Sequence, residues 1–310
     1  MSATLSPALV RAYTRALDWI TAHTRGFLIA NIVTQAGIIV TGGVVRLTGS
    51  GLGCSTWPQC EPGRFTPEFH PEQWFHPAIE FGNRTLTFVL MVVALGAAIG
   101  VWRSRPELRW WGMVPGFGVI VQAVVGGITV LVDLHPLVVA PHLLLSVALV
   151  WYSTWLALTY RNAPRRAGTP VVWHRRLLSV LVGVLLFLGA LTTGAGPHSG
   201  DAEATERLAL DPELIARAHA AAVWAFILVF VVLVWRVRAD RSIGARDEVR
   251  RSWVVLAIVT AAQGAVGYVQ YFTGLPEAVV ALHLVGIGAF AAAASAANYL
   301  LTAGSTADLD

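Results

Sequence analysis

Eight long apolar runs constrain what this chain can fold into more than any other feature of its sequence. A helix needs about 20 consecutive apolar residues to cross roughly 30 Å of hydrocarbon. Runs of about that length recur at 27–47, 79–102, 110–132, 137–160, 177–194, 214–236, 252–272 and 278–301. Only 13% of the residues are charged, against roughly 25% in soluble domains. We therefore predict an all-α polytopic membrane protein with eight transmembrane helices.

The third and fourth runs are related to the seventh and eighth. A shift of 141 positions aligns segment 120–143 with segment 261–284, with nine identities in 24 positions. The matched glutamines, glycines and histidines are Gln122 with Gln263, Gly126 with Gly267, and His142 with His283. Self-similarity at a fixed spacing indicates a duplication. Because each half has four spans, we expect two tandem four-helix bundles related by a pseudo-two-fold axis along the membrane normal.

The arginines predict how the chain is oriented. All 22 basic residues are arginine, and seventeen of them lie in the N-terminal segment or in the links at 103–109, 161–176 and 236–251. Basic loops mark the cytoplasmic side, so we predict a multi-pass protein of the cell membrane with both termini cytoplasmic. The net charge of +4 comes from arginines between apolar runs, which does not indicate a nucleic-acid partner.

The same pattern predicts the domain organisation. The expected segments are a cytoplasmic amphipathic N-terminal segment at 1–26, an N-terminal half at 27–160, a cytoplasmic linker at 161–176, a C-terminal half at 177–301 and a cytoplasmic tail at 302–310. Leu9, Tyr13, Leu17 and Ile20 share one helical face, which is typical of a helix on the membrane surface. We expect no cleaved leader, because the first apolar run is long enough to remain as a span.

Each even-numbered span begins near a proline and carries a polar residue six or seven positions later. The pairs are Pro77 and Asn83, Pro136 and His142, Pro212 and His219, and Pro276 and His283. A rise of 1.5 Å per residue places all four polar side chains roughly 9–11 Å below the outer boundary. Ionisable residues at such depth suggest function, and facing imidazoles can hold haem iron from both sides. Helix-to-helix hydrogen bonds and close packing through small residues are the alternatives.

Three residues of the second span lie on one face. Glu80, Asn83 and Arg84 are spaced i, i+3 and i+4. The carboxylate of Glu80 could act as an acid or base, or could stabilise developing positive charge. Arg84 and Arg46 could hold haem propionates. The alternative for Glu80 and Arg84 is an ion pair at the membrane interface.

The first outer loop carries both cysteines of the chain. Cys54 and Cys60 would close a seven-residue ring, and a disulfide there would stabilise the loop by roughly 2 kcal/mol or serve a redox role. We expect this loop to form a folded lid, with the aromatic residues Trp57, Phe65, Phe69, Trp74 and Phe75. The loop at 195–213 is its shorter partner, in which His198 is expected to be a loop residue and not a ligand.

These motifs resemble the haem A synthase family of cytochrome oxidase assembly. The resemblance is carried by G-G-V-V-R-L-T-G-S-G-L-G-C-x5-C at 42–60, by E-x-x-N-R at 80–84, and by single histidines in spans four, six and eight. It implies oxidation of a ring methyl of haem O to a formyl group, with oxygen from water. By position it implies His219 and His283 as ligands of a bound haem b, His142 as a ligand of substrate haem, and Glu80 as the catalytic carboxylate. Cys54 and Cys60 match the outer-loop cysteine pair of the family.

One position departs from the family pattern. Family members have E-x-x-H-R in the second span, whereas this chain has Asn83 at the histidine position. An amide is a poor iron ligand, so we expect His142 alone to ligate substrate haem, with Asn83 near it. The partners implied are haem O, the haem O-forming farnesyltransferase, cytochrome oxidase assembly factors, and a quinone or another electron acceptor.

Two other functions are compatible with the same residues. A di-haem electron carrier without catalysis accounts for the histidines, but it gives no role to Glu80. A transporter accounts for the internal repeat, but it predicts no haem absorption spectrum.

Overall fold

The computed structural model describes residues 6–68, 75–161, 169–202, 204, 206–239 and 247–301. Within these ranges the regular structure is helical, apart from one isolated bridge between Glu61 and Arg64, and this confirms the predicted all-α class. The elements are α1 Pro7–Ala22, α2 Thr24–Leu47, α3 Phe75–Ser104, a 3-10 turn Pro106–Leu108, α4 Arg109–Leu131, α5 Pro136–Arg161, α6 Thr169–Ala195, α7 Pro212–Ala239, α8 Asp247–Phe272 and α9 Glu277–Leu301.

The helices α2 to α9 are each long and apolar enough to cross a membrane, which confirms the eight predicted spans. Several helices extend beyond their apolar runs, because backbone hydrogen bonding continues where hydrophobicity stops. The clearest case is α6, which begins at Thr169 within the predicted linker 161–176. The remaining part of that linker, 162–168, lies outside the described residues, as do the tail 302–310, Phe69 and Trp74.

The predicted prolines lie at the starts of their helices. Pro136 and Pro212 are the first residues of α5 and α7, and Pro276 directly precedes α9. Proline is favoured there because the first N–H groups of a helix have no partner within it. At α7 the Asp211 carboxylate also accepts hydrogen bonds from the backbone N–H groups of Glu213 and Leu214, at 2.8 and 3.3 Å, and so caps the helix.

The amphipathic helix α1 forms as expected and packs against α3. Its start is capped by the Ser6 hydroxyl, which accepts from the Leu9 N–H at 3.4 Å. Arg103 at the end of α3 pairs with Asp18 of α1 at 2.8 Å. This ion pair fixes α1 beside the bundle, and its position on a membrane surface remains a prediction.

The sequence repeat is also a repeat of local structure. The Gln122 side-chain amide donates to the His142 carbonyl at 3.0 Å, and Gln263 donates to the His283 carbonyl at the same distance. The turns that precede the two histidine-bearing helices match as well. Leu134 and Leu275 both have positive φ angles, 59° and 61°, although leucine rarely adopts this conformation. The pseudo-two-fold axis between the complete halves remains a prediction.

The two halves meet along α2, α5, α6 and α9, which contact one another across the centre of the bundle. Small residues make this contact close. A Cβ added at Gly288 of α9 would lie 3.0 Å from the Cβ of Ala36 on α2, and one added at Gly43 would overlap Leu284. The Ser295 hydroxyl of α9 donates to the Trp151 carbonyl of α5 at 2.8 Å. The halves therefore share one packed core.

The helices are arranged differently within each half. In the N-terminal half α2, α3, α4 and α5 form a closed ring of neighbouring contacts. In the C-terminal half α6 packs on α7 and α8 packs on α9, but the backbones of α7 and α8 stay apart over their described lengths. These two helices are joined through side chains, since the Trp224 indole N–H donates to the Tyr268 hydroxyl at 3.1 Å.

Candidate functional site

Residues 48–68 form a loop that is attached to the start of α3, and we call it the disulfide loop. Cys54 and Cys60 are joined by a disulfide, as expected, and both are fully buried. The Cys54 backbone N–H donates to Glu80 Oε2 at 2.6 Å. Glu80 is itself only 4% exposed, so the predicted catalytic carboxylate lies directly under the cysteine pair.

Arg84 completes this attachment. Its Nε and Nη2 donate to Glu80 Oε1 at 3.0 and 2.5 Å. Its Nη1 donates to the carbonyls of Thr56 and Gln59 in the disulfide loop, at 2.9 and 3.2 Å. Glu80 and Arg84 thus form the ion pair that the sequence left as the alternative, and Arg84 also binds the loop to α3. Because Oε1 accepts both Arg84 bonds and Oε2 accepts only the Cys54 N–H, Oε2 keeps a second lone pair that can accept a proton or a hydrogen bond.

Other contacts hold the disulfide loop over the N-terminal half. Trp57 packs against Gly127 of α4, where a Cβ would overlap the indole ring. The Ser50 hydroxyl, which is fully buried, lies 2.9 Å from Nδ1 of His76 at the start of α3. The link between Ser50 and His76 was missed in the sequence, although the spacing of four residues between His76 and Glu80 pointed to a shared face. These contacts hold the described part of the loop in place over the N-terminal half, as the prediction of a folded lid requires.

Asn83 and His142 are the predicted ligands of the N-terminal half. Asn83 Oδ1 accepts a hydrogen bond from the Thr41 hydroxyl of α2 at 2.7 Å, so its amide orientation is fixed. The buried Nδ1 of His142 has no hydrogen-bond partner among the described residues. A Cβ at Gly126 of α4 would lie 3.2 Å from the His142 ring. Because glycine has no Cβ, the His142 imidazole can lie this close to α4.

His219 and His283 are the predicted ligands of the C-terminal half. His219 Nδ1 lies 3.0 Å from the Leu185 carbonyl of α6. A carbonyl only accepts, so Nδ1 carries the proton and the Nε2 lone pair is free, as a metal-ligating histidine requires. His283 is half-buried and close enough to interact electrostatically with His219, and its buried Nδ1 has no partner within the described residues. The His219 imidazole of α7 and the His283 imidazole of α9 thus lie in the same region of the C-terminal half.

This donor set fits a haem better than a simple metal ion. In the described part of the chain, no three side chains of His, Cys, Asp or Glu converge as ion ligands. A haem iron takes four nitrogens from the porphyrin and needs only one or two from the protein. Gly189 and Gly267 lie against the rings of His219 and His283, where an added Cβ would come within 3.1 and 3.6 Å of Cε1. Two histidines with small neighbours fit haem ligation.

Arg46 lies apart from the other predicted residues. Its Nη2 donates to the Thr193 carbonyl of α6 at 2.8 Å, so it joins the two halves. His198, which was expected to be a loop residue, lies in the loop after α6, with Nε2 3.1 Å from the Leu275 carbonyl. The structure thus groups the two cysteines with Glu80 and Arg84, brings His219 and His283 together, and places Arg46 at the junction of the halves.

Comparison with known proteins identifies the family to which the chain is similar. The family model described as cytochrome oxidase assembly protein, COX15-CtaA, matches residues 25–295. Similar proteins include the "Heme A synthase" of Bacillus pumilus (strain SAFR-032), 24% identical over 77% of this chain and 82% of that protein. The "Heme A synthase" of Shouchella clausii (strain KSM-K16) is 27% identical over 70% of this chain and 78% of that protein.

A third relative matches over a shorter stretch. The "Heme A synthase" of Lysinibacillus sphaericus (strain C3-41) is 26% identical over 54% of this chain, and the alignment spans 57% of that protein's length. The family match, by contrast, runs from the first span into the eighth and includes both halves, the disulfide loop and all the predicted site residues. The chain therefore belongs to the COX15-CtaA family of cytochrome oxidase assembly proteins.

Proposed function

We propose that this protein is a haem A synthase, an oxidoreductase that converts a ring methyl of haem O to a formyl group. The reaction takes its oxygen from water and releases four electrons and four protons for each methyl group oxidised. One observation carries the proposal. A buried carboxylate under a disulfide loop occurs in the N-terminal half, and a pair of histidines with free ring nitrogens occurs in the C-terminal half.

The N-terminal half, 27–160, is the proposed substrate half. His142 would hold haem O from α5, and Asn83 would face it from α3 without ligating strongly. Arg46 and Arg84 are the proposed propionate partners. Arg46 is better placed for this role, because the Nε, Nη1 and Nη2 groups of Arg84 already donate to Glu80 and the disulfide loop. A propionate at Arg84 would have to share or replace one of these bonds.

Glu80 is the proposed acid and base of the reaction. It can take a proton from the water that attacks the oxidised methyl carbon, because a carboxylate oxygen accepts more than one hydrogen bond. The N–H of Cys54 and the guanidinium of Arg84 hold the carboxylate in one orientation. The disulfide loop above it limits the access of bulk water, which strengthens electrostatic interactions in the site.

The C-terminal half, 177–301, is the proposed haem b half, with His219 and His283 as the two iron ligands. A haem b held in this way supplies one-electron transfer. His219 is oriented by the Leu185 carbonyl, and the helix that carries His283 is fixed by Gln263. The proposed location is the cell membrane with both termini cytoplasmic, and the proposed partners are haem O, its farnesyltransferase, assembly factors and a quinone or other electron acceptor.

The decisive experiment replaces Glu80 in cells that contain no other synthase. Glu80→Ala removes both the carboxylate and the acceptor for the Cys54 N–H. Glu80→Gln keeps an oxygen for that N–H but cannot carry a proton. We expect both variants to retain haem b, to accumulate haem O and to make at least about 100-fold less haem A, because acid–base groups contribute about that much to rate. Chromatography of extracted haems measures the amounts of haem b, haem O and haem A.

Glu213→Gln is the matched control, because Glu213 and Arg217 have the same spacing at the start of α7 but are exposed. It should leave haem A output unchanged. Unchanged haem A from Glu80→Gln would remove Glu80 from the chemistry. Purified wild-type protein that holds haem b but never haem O or haem A would favour the electron carrier over the enzyme.

A further inference from the structure

A cavity lies between the two halves at the end of the bundle that carries the disulfide loop. It is a small cleft of about 20 Å³ that is partly open to solvent. Pro136, Val139 and Leu143 at the start of α5 form one wall, and Ala190 and Thr193 near the end of α6 form the other. The described part of the loop after α6, the covering loop, completes the lining with Ser199, Glu206 and Arg207, and the Gly51 N–H donates to the Gly200 carbonyl at 2.8 Å beside it. The cavity is therefore built by both halves, with apolar walls from α5 and α6 and polar side chains beside them.

Two guanidinium groups line this cavity. Arg46 comes from the end of α2 and Arg207 from the covering loop, and the two are close enough to repel each other electrostatically. Neither forms an ion pair with a carboxylate of the described residues. The lining carboxylate of Glu206 pairs instead with His135 Nε2 at 3.0 Å. Among the described residues the lining therefore carries two half-buried guanidinium groups and one carboxylate, an excess of positive charge that an anion would balance.

The two arginines differ in how many of their N–H groups remain available to a ligand. Arg207 donates to the carbonyls of Gly196, Pro197, Ala204 and Glu206, at 2.8–3.0 Å. These bonds fix its position and leave one Nη2–H group available to a ligand. Arg46 donates through Nη2 to the Thr193 carbonyl, and its other N–H groups have no partner among the described residues. It can therefore present a fork of donors, a geometry that matches carboxylate and phosphate oxygens.

The cavity borders the two histidine sites. Val139 of the lining precedes His142 by three residues on α5, and Thr193 of the lining follows Gly189 by four residues on α6. Residues three or four apart lie on one helix face, and Gly189 is the residue that faces His219. An anion in the cavity would therefore lie beside both histidine sites.

We propose that this cavity is a binding site for one oxyanion, a carboxylate or a phosphate, held by Arg46 and Arg207 with its apolar carrier along the walls of α5 and α6. Two sources have this chemistry. One is the phosphate of an acidic phospholipid or free phosphate, which requires neither haem nor catalysis. The other is a haem propionate, in which case the site deepens the proposed function by placing that propionate between the two halves.

The test uses the full-length protein purified in detergent and in phospholipid nanodiscs. The probes are inorganic phosphate, nanodiscs of phosphatidylcholine alone, and nanodiscs that also contain phosphatidylglycerol. Thermal unfolding and native mass spectrometry report stabilisation and retained lipid. Arg46→Gln removes the charge, Arg46→Lys keeps it, and Arg217→Gln is the control for an exposed arginine outside the cavity.

If the source is a phosphate, phosphatidylglycerol or inorganic phosphate raises the unfolding temperature of the wild type, Arg46→Lys and Arg217→Gln. Arg46→Gln then retains phosphatidylglycerol about tenfold less well, because a charge-assisted contact is lost. If the source is a propionate, the phosphate probes have no effect and Arg46→Gln retains about tenfold less haem than Arg217→Gln. Either result supports the site. Equal behaviour of Arg46→Gln and Arg217→Gln in every measurement overturns it, as does a wild type that responds to no probe and keeps its haem without Arg46.

Discussion

The two halves share a helical frame but differ in what lies at the start of the second helix of each. In the N-terminal half Glu80 and Arg84 are buried, with side chains 6% and 19% exposed, and they hold the disulfide loop. In the C-terminal half Glu213 and Arg217 form a pair at the same spacing, but their side chains are 57% and 71% exposed. The same i, i+4 ion pair is thus a surface contact in one half and part of a candidate active site in the other.

The polar residue deeper in the same helix differs as well. His219 of α7 donates from Nδ1 to the Leu185 carbonyl of α6, and Asn83 of α3 accepts from the Thr41 hydroxyl of α2. Both residues are oriented by the preceding helix, but only the imidazole has a ring nitrogen left to bind iron. Under the proposed function, the histidine position would serve a permanent haem and the asparagine position a haem that must leave.

The largest expected effect comes from the C-terminal histidines. His283→Ala removes one of two iron ligands, so we expect the purified protein to lose nearly all haem b. The loss should exceed the roughly 10–100-fold cost of removing an outer hydrogen-bond partner of a metal ligand. A reduced-minus-oxidised spectrum measures it. His142→Ala is the matched change in the other half and should leave haem b in place, so equal loss in both variants would contradict the division between halves.

Asn83→His should make the halves more alike. A histidine at this position can use the Thr41 hydroxyl as His219 uses Leu185, and a second imidazole would then face His142. We expect the variant to retain a second haem, so that haem per protein rises from about one toward about two, and to release product more slowly. Haem extraction and the absorption spectrum of the purified variant test this. Asn83→Gln should behave like the wild type.

A smaller difference is expected between two glycines. An added Cβ at Gly189 would lie 3.1 Å from His219 Cε1, whereas one at Gly267 would lie 3.6 Å from His283 Cε1, which is an ordinary contact. Gly189→Ala should therefore displace the His219 ring and weaken haem b retention by about tenfold. Gly267→Ala should be nearly neutral. Haem retained through purification measures both, and the opposite order would show that the rings move on haem binding.

The smallest expected effect concerns the matched glutamines. Gln263→Ala removes one hydrogen bond to the His283 carbonyl and should lower the free energy of unfolding by about 1 kcal/mol. Gln122 bonds both the His142 carbonyl and the Ser146 hydroxyl, so Gln122→Ala should cost more. Thermal unfolding in detergent measures both changes. A larger loss of stability for Gln263→Ala than for Gln122→Ala would contradict the role given to the second hydrogen bond of Gln122.

Much of the fold could be predicted from local patterns. Apolar runs located the eight spans, prolines marked helix starts, and the aligned Gln122 and Gln263 indicated a repeat that reappears as matched hydrogen bonds. These signals are local because a membrane-spanning segment must satisfy its own backbone hydrogen bonds within one helix.

The contacts that shape the candidate site were harder to predict. The partner of Glu80 is a backbone N–H of Cys54, and the partner of Arg46 is the carbonyl of Thr193, 147 positions away. Backbone groups are the same at every residue, so the sequence carries no sign of which one a side chain will meet. Glu80 and Glu213 each precede an arginine by four residues, but they differ in register relative to Asn83 and His219, and the sequence does not show that the disulfide loop buries only Glu80.

The close approach of Gly288 to Ala36 and of Gly43 to Leu284 has a consequence for how a large flat substrate can reach the interior. Alternating access by rocking one half against the other would have to separate surfaces that interlock at the level of single methyl groups. We expect such motion to be strongly opposed, since packed interiors transmit strain instead of deforming smoothly. Entry and exit would then take place laterally, between helices and from the lipid, while the two halves remain joined.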